Sequence, residues 1–449
     1  MNQDFGRYSL KLTGYFNNNK NHLSFVNNFW GIRPSERDLK DIKDFHRVLE
    51  LYSQRVTPRK ISRCTGISKR KIEHWIYGNS LPRIIRLLIN YMGMKSQDGK
   101  ILSINSTRGG LFNGPWIVVP EKVTNYNDIV NVLNRLTPLE ETYTRDLLFG
   151  LSKDDINKIK PLLFAYLLGV LIGDAGKDRI KRAQRITRRI ALKLTKLYET
   201  NYRFGEFVCV CANSLGLRMR RIKDMRAGKR NKHPFYSWNS QCSPLIQWIF
   251  SACLGLKDGQ LTTYNPVDMR WILSAPKDFK IWFIQGLADS DGFVDMSSQQ
   301  TGIITHPNTE LIENVLNSLG IPASRKLFTS NGLWSLMIDR EKSYNLPIFN
   351  TYVKSYRYDK LERLFLAKRI SGHWPVWLKE KIDNYTKTGL SGTKVVEKIL
   401  ENEDIAIRAQ HVNRRIKRLI RGDNNRENAR VNIFRRRKYR TPETLNFGA

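Results

Sequence analysis

The sequence predicts an α+β protein in which an αββαββα unit occurs twice with pseudo-two-fold symmetry, flanked by small, mostly helical domains. An apolar helix ending in an aspartate occurs twice, at 167–174 and 284–291. A helix ending in Asn-Ser-Leu-Gly follows each, at 213–216 and 317–320, and residues with the alternation of strands bracket these helices. Two matches in the same order favour a duplicated fold over chance.

The two apolar helices carry small residues four positions apart, Gly169 with Gly173 and Gly286 with Ser290. Residues four apart lie on one helix face, where small side chains let two backbones approach closely. We therefore expect the two helices to pack against each other through Gly169 and Gly286. That packing would bring the terminal residues Asp174 and Asp291 together.

The net charge indicates a polyanionic partner. The 449 residues include 76 Lys and Arg against 41 Asp and Glu, which leaves a formal charge of +35. Such an excess is typical of proteins that bind nucleic acid or an acidic membrane surface. The longest apolar run, 161–173, is too short to span a bilayer, which needs ~20 apolar residues. We therefore expect nucleic acid and no membrane.

The cysteines and the N-terminus indicate a reducing compartment. Five cysteines occur without a second pair at zinc-ligand spacing, and they are too sparse for a disulfide scaffold. No charged segment followed by an apolar stretch opens the chain. We expect a cytoplasmic or nucleoid protein of a prokaryote, or a protein of an organellar matrix, and not a secreted one.

Composition shifts divide the chain into six predicted segments. These are an irregular N-terminal extension (1–35), a helix-turn-helix-like DNA-binding domain (36–83), a connecting module (84–158), a first repeat (159–270), a second repeat (271–372) and a basic C-terminal helical region and tail (373–449).

The segment 36–83 has the pattern of a helix-turn-helix. Thr57 and Pro58 suit the start of a short helix, Gly66 suits a turn, and Ser68 suits the N-cap of a second helix headed by basic residues. The basic residues at that head are Lys69, Arg70 and Lys71. A helical hairpin with a solvated basic face is the alternative interpretation.

Basic residues concentrate in the first repeat. Residues 177–196 hold nine basic and one acidic residue, and residues 218–232 hold eight and one. We expect the strands there to contact phosphates and guanine edges. The candidates are Arg185, Arg188, Arg189, Lys193, Arg218, Arg220, Arg221 and Lys223.

The matching stretch of the second repeat, 295–306, has no Lys or Arg and offers neutral polar side chains such as Gln299 and Thr301. The predicted footprint on DNA is therefore asymmetric. A further basic run, 435–438, fits either a phosphate-contacting arm or a solvated tail.

Two aspartates at adjacent helix ends predict a cation site. Each carboxylate faces the negative pole of its helix, and like charges repel. A cation between Asp174 and Asp291 would relieve both effects. Mg²⁺ suits such a site because it binds one or two carboxylates together with phosphates and water. The alternative for each residue alone is an ordinary turn aspartate.

The segment 286–292, Gly-Leu-Ala-Asp-Ser-Asp-Gly, resembles the motif of the LAGLIDADG homing endonuclease family in its single-chain, two-motif form. The resemblance covers about 160–370, and the first motif departs from it with Ala175 where glycine is usual. It implies the homing-endonuclease fold and Mg²⁺- or Mn²⁺-dependent hydrolysis of both DNA strands, as in intron homing. The implied metal ligands are Asp174, Asp291 and the carbonyls of Gly173 and Ser290. Lys257 and Lys354 fit the family's catalytic lysines, although surface lysines fit equally well.

Three functions are compatible with this pattern. The first is a site-specific endonuclease that acts as a monomer on double-stranded DNA. The second is a binding protein on the same fold, either a DNA-binding regulator or a maturase that binds intron RNA. Retention of both aspartates favours the first. The nuclease portion of an intein is disfavoured, because the chain lacks a Cys or Ser start and a His-Asn end.

Overall fold

The structure is a computed structural model. It describes residues 36–76, 82, 100–103, 116–139, 149–174, 176–179, 190–223, 235–241, 243–257, 260, 262, 265–296, 298–328, 332–420 and 431–433. The fold is a mixture of helices and sheets, as predicted for an α+β protein.

The α-helices are α1 (Glu36–Ser53), α2 (Pro58–Thr65), α3 (Lys69–Ile76), α4 (Tyr126–Leu133), α5 (Lys153–Lys158), α6 (Lys160–Ile172), α7 (Tyr198–Ser214), α8 (Pro244–Trp248), α9 (Lys277–Asp291), α10 (Thr309–Ser318), α11 (Arg340–Asn345), α12 (Tyr356–Leu366), α13 (Val376–Lys387), α14 (Gly392–Glu403) and α15 (Ala409–Ile420). A π-helical turn (Ile249–Cys253) follows α8, and a 3₁₀ helix (Arg270–Ser274) precedes α9.

The strands are β1 (Lys100–Ser103), β2 (Trp116–Val119), β3 (Gly176–Arg179), β4 (Ile190–Leu197), β5 (Met219–Lys223), β6 (Phe235–Ser240), β7 (Gly292–Asp295), β8 (Gln300–Ile304), β9 (Ala323–Phe328), β10 (Leu333–Asp339), β11 (Lys368–Gly372), β12 (Ile405–Ala406) and β13 (Val431–Ile433).

One succession of elements occurs twice. From α6 to α8, and again from α9 to α11, a helix is followed by two strands, a helix, two strands and a helix. The sheets have the orders β3-β4-β6-β5 and β7-β8-β10-β9, and all neighbours in both sheets are antiparallel. Below, residues 160–253 are called the first unit and residues 277–345 the second unit.

Buried apolar residues form one large cluster that spans both units. It extends from Leu102 to Phe365 and includes side chains of α4, so the 116–139 stretch packs against the units. Separate clusters lie within 42–76 and within 378–412. The exact domain boundaries stay a prediction.

Aromatic packing and hydrogen bonds join the two units. The ring of Phe207 in α7 contacts Tyr166 edge-on at 5.0 Å between centroids and stacks with Tyr352 at 6.3 Å. The guanidinium of Arg203, also in α7, donates to the carbonyl oxygens of Tyr352 and Val353, both at 2.9 Å. The loop that follows the second unit is thereby held by a helix of the first.

The N-terminal helices begin and end where their local sequence indicates, but one predicted cap is not formed. Gly66 ends α2 in the left-handed region at φ +73°, and Ser68 Oγ accepts a hydrogen bond from the Lys71 amide at 3.3 Å. Thr57 occupies the N-cap position of α2, but its side chain makes no cap hydrogen bond, which corrects the predicted cap. Pro58 at the first helical position contributes the fixed φ instead.

Within the described residues, no helix combines the length and apolar character needed to cross a bilayer. Cys64, Cys209, Cys211 and Cys253 are free thiols, and the last three are buried. Burial raises the pKa of the Cys211 and Cys253 thiols well above its usual range.

Candidate active site

The first helices of the two units, α6 and α9, cross with their backbones in contact. A Cβ on Gly169 would lie 2.2 Å from the carbonyl oxygen of Phe283, and one on Gly286 would lie 2.0 Å from that of Tyr166. The contacts are reciprocal, because each glycine meets the carbonyl three residues before the opposite glycine. No side chain fits at either position, so this close approach depends on both glycines.

The same crossing brings the two helix ends together. A Cβ on Gly173 would lie 2.6 Å from Ser290 Cβ and 3.2 Å from the carboxylate oxygen Oδ2 of Asp291. Asp174 follows Gly173 directly. Both aspartates are half-buried, and Asp174 Oδ2 itself lies out of contact with solvent. The structure therefore places the two predicted acidic residues at one end of the helix pair.

A basic side chain caps the end of α9. The Nη1 atom of Arg357 donates to the carbonyl of Asp289 at 2.6 Å, and its Nη2 atom donates to the carbonyl of Ser290 at 3.3 Å. These carbonyls form the negative pole of the helix, where a cation is favoured. Arg357 thus places positive charge one residue away from Asp291.

Beneath this terminus, Asp289 is fully buried in a polar network. Its carboxylate accepts hydrogen bonds from Tyr166 Oη at 2.9 Å, Ser355 Oγ at 3.1 Å and the Asn350 amide at 3.2 Å. Burial raises the pKa of Asp289 to about 7, and the hydrogen bonds and nearby Arg357 oppose this rise. The donors come from α6 and from the loop after the second unit, so the network ties three segments together.

The donors at the two helix ends are all oxygens: the carboxylates of Asp174 and Asp291 and the carbonyls of Gly173 and Ser290. Such a set fits a hard divalent cation such as Mg²⁺ or Mn²⁺. No group of three or more His, Cys, Asp or Glu side chains that could hold a metal occurs in the part of the chain that the structure describes. Two carboxylates suffice for Mg²⁺ when phosphates and water supply the other ligands.

The two predicted lysines are both exposed. Lys354 adopts a left-handed backbone at φ +44° in the loop between Asn350 and Arg357, which contacts the end of α9. Lys257 follows the π-helical turn of the first unit, and its amide donates to Gln260 Oε1 at 2.8 Å. Their catalytic role stays a prediction.

The sheet of the first unit presents Arg220 on the face away from α7. Its neighbour Arg221 lies over the rings of Tyr202 and Tyr236, at 5.1 and 5.3 Å, and 3.9 Å from Glu206. Tyr202 and Glu206 belong to α7, so Arg221 is on the helix side of β5. Because side chains alternate along a strand, Arg220 is on the opposite face.

Arg220 pairs in register with Asn239, which pairs with Lys193 on the next strand. Arg218 is exposed just before β5, and the backbone of Lys223 ends that strand. Arg185, Arg188 and Arg189 lie outside the described residues.

The second sheet differs from the prediction at Thr301. Thr301 is fully buried, and its hydroxyl contacts the Ser343 hydroxyl and donates to the Ile338 carbonyl at 3.1 Å. Thr301 is on the helix side of β8, so it does not belong to the polar face. Gln299 is half-buried in the β7–β8 turn with φ +58°, next to Ser298, whose Oγ donates to Asp295 at 2.6 Å.

Of the three basic residues that head α3, Lys71 has contacts within the N-terminal helices. Its ammonium lies 2.9 Å from the Asp41 carboxylate and 4.6 Å from the Trp75 ring centroid. Lys69 pairs with Glu73 at 3.3 Å and stays largely exposed, and Arg70 is exposed. DNA contact by Lys69, Arg70 and Lys71 stays a prediction.

No protein-family model matches the sequence, and no curated protein matches it. Among solved structures, the chain is similar to I-DmoI in complex with DNA and Mn (18% identity, 41% of this chain, 93% of that chain, TM-score 0.31). It is also similar to the homing endonuclease I-WcaI bound to its DNA recognition sequence (14%, 55% and 95%, TM-score 0.29). A third similarity is to full-length DUF199/WhiA from Thermatoga maritima (11%, 60% and 94%, TM-score 0.30). Likeness at this level does not assign the chain to a family.

Sequence reasoning missed Asp289, Tyr166 and Arg357. Asp289 lies inside the segment that resembles the family motif, two residues before Asp291, and an acidic residue directly after the largely apolar stretch 281–288 was the signal that could have identified it. Tyr166 and Arg357 carry no local signal, because their roles depend on contacts 123 and 68 residues away along the chain.

Proposed function

We propose that this protein is a site-specific endonuclease of the homing type that hydrolyses both strands of double-stranded DNA with a divalent metal ion. We also infer that its two units arose by duplication and are related by a pseudo-two-fold axis. The observation that carries the proposal is the glycine-dependent crossing of α6 and α9, which places Asp174 and Asp291 at one end of the helix pair.

The residues at that end support this chemistry. Asp174 and Asp291, with the carbonyls of Gly173 and Ser290, would hold Mg²⁺ or Mn²⁺. The ion, when bound, would supply Lewis-acid activation of water and of the scissile phosphates. Arg357 holds positive charge beside Asp291. Lys257 and Lys354 are the candidate basic side chains for stabilising the leaving oxygen.

The charge of the chain supports DNA as the substrate. The +35 charge would attract the phosphate backbone, and Arg220 is exposed on the sheet face opposite α7. Basic strands in the first unit and neutral side chains near Gln299 in the second would give an asymmetric site. A chain with two units would bind such a site as a monomer.

One observation favours a second candidate, a DNA-binding regulator without catalysis. The guanidinium of Arg357 already neutralises the negative pole of α9, so a metal ion is not needed to make that helix end stable. A maturase that binds intron RNA is the related alternative on the same fold.

Cleavage of a plasmid library in Mg²⁺ tests the proposal. We expect the wild-type protein to linearise plasmids that carry its site, and Asp174→Asn and Asp291→Asn each to abolish cleavage while binding is retained. Asp278→Asn, at the opposite end of α9, is the matched control and should cleave normally. Thermal unfolding checks that every variant is folded. Wild-type protein that binds duplex DNA without cutting it would select the regulator, and preferential binding of structured RNA would select the maturase.

A further inference from the structure

The C-terminal helices form a small unit that displays one side of α15. Leu378 of α13, Val395 and Ile399 of α14, and Val412 of α15 are buried in its core. Arg415 on α15 makes two hydrogen bonds of 2.6 Å to the Asp383 carboxylate on α13. Because the buried side chains and this ion pair hold the inner face, the orientation of the outer face is set.

The outer face of α15 carries four polar side chains in a single stripe. The stripe consists of Gln410, Asn413, Arg414 and Lys417. Their spacing of three and four residues puts them on one face of the helix, and all four are exposed. Gln and Asn can pair with adenine edges, and Arg and Lys with guanine edges or phosphates. The helix as a whole has four basic residues and no acidic one.

The stripe faces the sheet of the second unit. It lines a cleft of about 670 Å³ together with Arg408 of its own unit, Ser298 of the β7–β8 turn and Gln300 at the start of β8. A small apolar cluster fixes the two sides of the cleft, joining Met296 at the end of β7 to Leu400 of α14 and Ala406 of β12. The stripe and the β7–β8 turn are therefore neighbouring parts of one surface.

This arrangement places positive charge where the second unit has none. Residues 295–306 contain no Lys or Arg, whereas the stripe and Arg408 bring three cations to the same edge. Where a bound duplex extends past the edge of the second sheet, its phosphates would lie close to these cations.

We infer that α15 is a further DNA-contacting element, which binds the duplex beyond the edge of the second sheet and reads base pairs there. The inference rests on the proposed function, because it places duplex DNA on the face shared by the two sheets. Arg414 and Lys417 contact phosphates or guanine edges, and Gln410 and Asn413 contact base edges. Double-stranded DNA is favoured over a protein partner because the stripe combines cations with amides and has no apolar side chain.

The first experiment measures the salt dependence of binding by the full-length chain to a duplex selected from a randomised DNA library, with Ca²⁺ in place of Mg²⁺. In the variant Arg414→Ala/Lys417→Ala, we expect the slope of log K against log salt to become shallower by about 2, one for each lost phosphate contact. The matched control Lys387→Ala/Lys398→Ala removes two exposed cations from the same unit and should keep the wild-type slope.

The second experiment compares the sequences that each variant selects. Gln410→Ala should lose preference at base pairs on one flank of the site and keep it elsewhere. Arg414→Lys/Lys417→Arg retains the charge and should retain the salt slope, which separates lost charge from misfolding.

The outcomes separate this inference from the proposed function. If the wild type cleaves DNA but the stripe variants keep both its slope and its selected site, α15 does not contact DNA and only this inference is wrong. If the wild type fails to bind any duplex, the proposed function is wrong as well. If the stripe residues are needed for binding RNA or a protein but not for binding duplex DNA, the inference is also wrong.

Discussion

The helices α6 and α9 are alike at the point where they cross and differ at their C-terminal ends. At the crossing, each helix contributes one glycine that meets a carbonyl oxygen of the other, which would lie 2.2 or 2.0 Å from a Cβ added to that glycine. Two residues before its aspartate, however, α9 has the buried Asp289, while α6 has Ile172, an aliphatic side chain that is 7% exposed. Both helices thus contribute equally to the close backbone contact, whereas, among the described residues, only the end of α9 is supported by a buried polar network.

This difference indicates how the paired carboxylates are positioned. Tyr166 of α6 donates to Asp289 of α9, so the first helix helps to fix the end of the second. Arg357 and Ser355 add contacts from α12 and its N-cap. We therefore expect the α9 terminus to depend on distant residues, and the α6 terminus to depend on apolar packing and on the crossing itself.

The largest effect should come from the crossing, where the two helices are alike. Gly169→Ala and Gly286→Ala should each lower the free energy of unfolding by about 3 kcal/mol, because the new methyl group would overlap a backbone carbonyl that cannot move aside. Chemical denaturation measures both variants. Gly392→Ala is the control, since the nearest atoms to its methyl group would belong to the end of the Asn413 side chain, which can rotate away, and not to the backbone. Clearly unequal losses of stability in the two variants would show that the two sides of the crossing are not equivalent.

A smaller loss of stability should follow when Asp289 of α9 is replaced by isoleucine, the residue that α6 has at the corresponding position, 172. Asp289→Ile should lower the free energy of unfolding by about 2.5 kcal/mol, because three hydrogen-bond donors and Arg357 would face an aliphatic side chain. Ile172→Val in α6 should lower it by about 1 kcal/mol. Denaturation of both variants in one buffer tests this, and similar small losses would show that the network does not stabilise the α9 terminus.

Removal of Arg357 should affect function more than stability. We expect Arg357→Ala to lower the free energy of unfolding by about 2 kcal/mol, the typical value for hydrogen bonds to a charged group. If the endonuclease proposal is correct, cutting of one strand should slow more than that of the other, because only the α9 terminus loses its guanidinium. Nicked circles would then accumulate in a plasmid assay. Arg357→Lys should recover part of the activity, and equal slowing of both strands would contradict the asymmetry.

The smallest effect should come from the hydroxyl that links the two helices. Tyr166→Phe removes one hydrogen bond to Asp289 and should lower the free energy of unfolding by about 1 kcal/mol. Tyr52→Phe, at a side chain that is 42% exposed, should have no measurable effect. The difference between the two midpoints of denaturation tests whether Tyr166 supports the α9 end.

Much of the candidate site could be predicted because its signals are local. The spacing of Gly169, Gly286 and the two aspartates follows from helix geometry, and the helices around 213 and 317 end at Ser214 and Ser318, close to the predicted glycine stops. The strands predicted to bracket these helices include Leu333–Asp339. The position of Thr301 was misjudged because its polarity suggested exposure, whereas a partner hydroxyl on α11 allows its burial.

The amino-acid sequence alone determined the paired helices, their small residues, the terminal aspartates and the large positive charge, since each depends on residue type and short spacing. Only the tertiary structure decided that Tyr166, Asp289 and Arg357 form one support, and that the α15 stripe lies against the β7–β8 turn. Contacts between residues far apart in the chain depend on how the elements pack. That packing is a property of the whole core, and no local pattern encodes it.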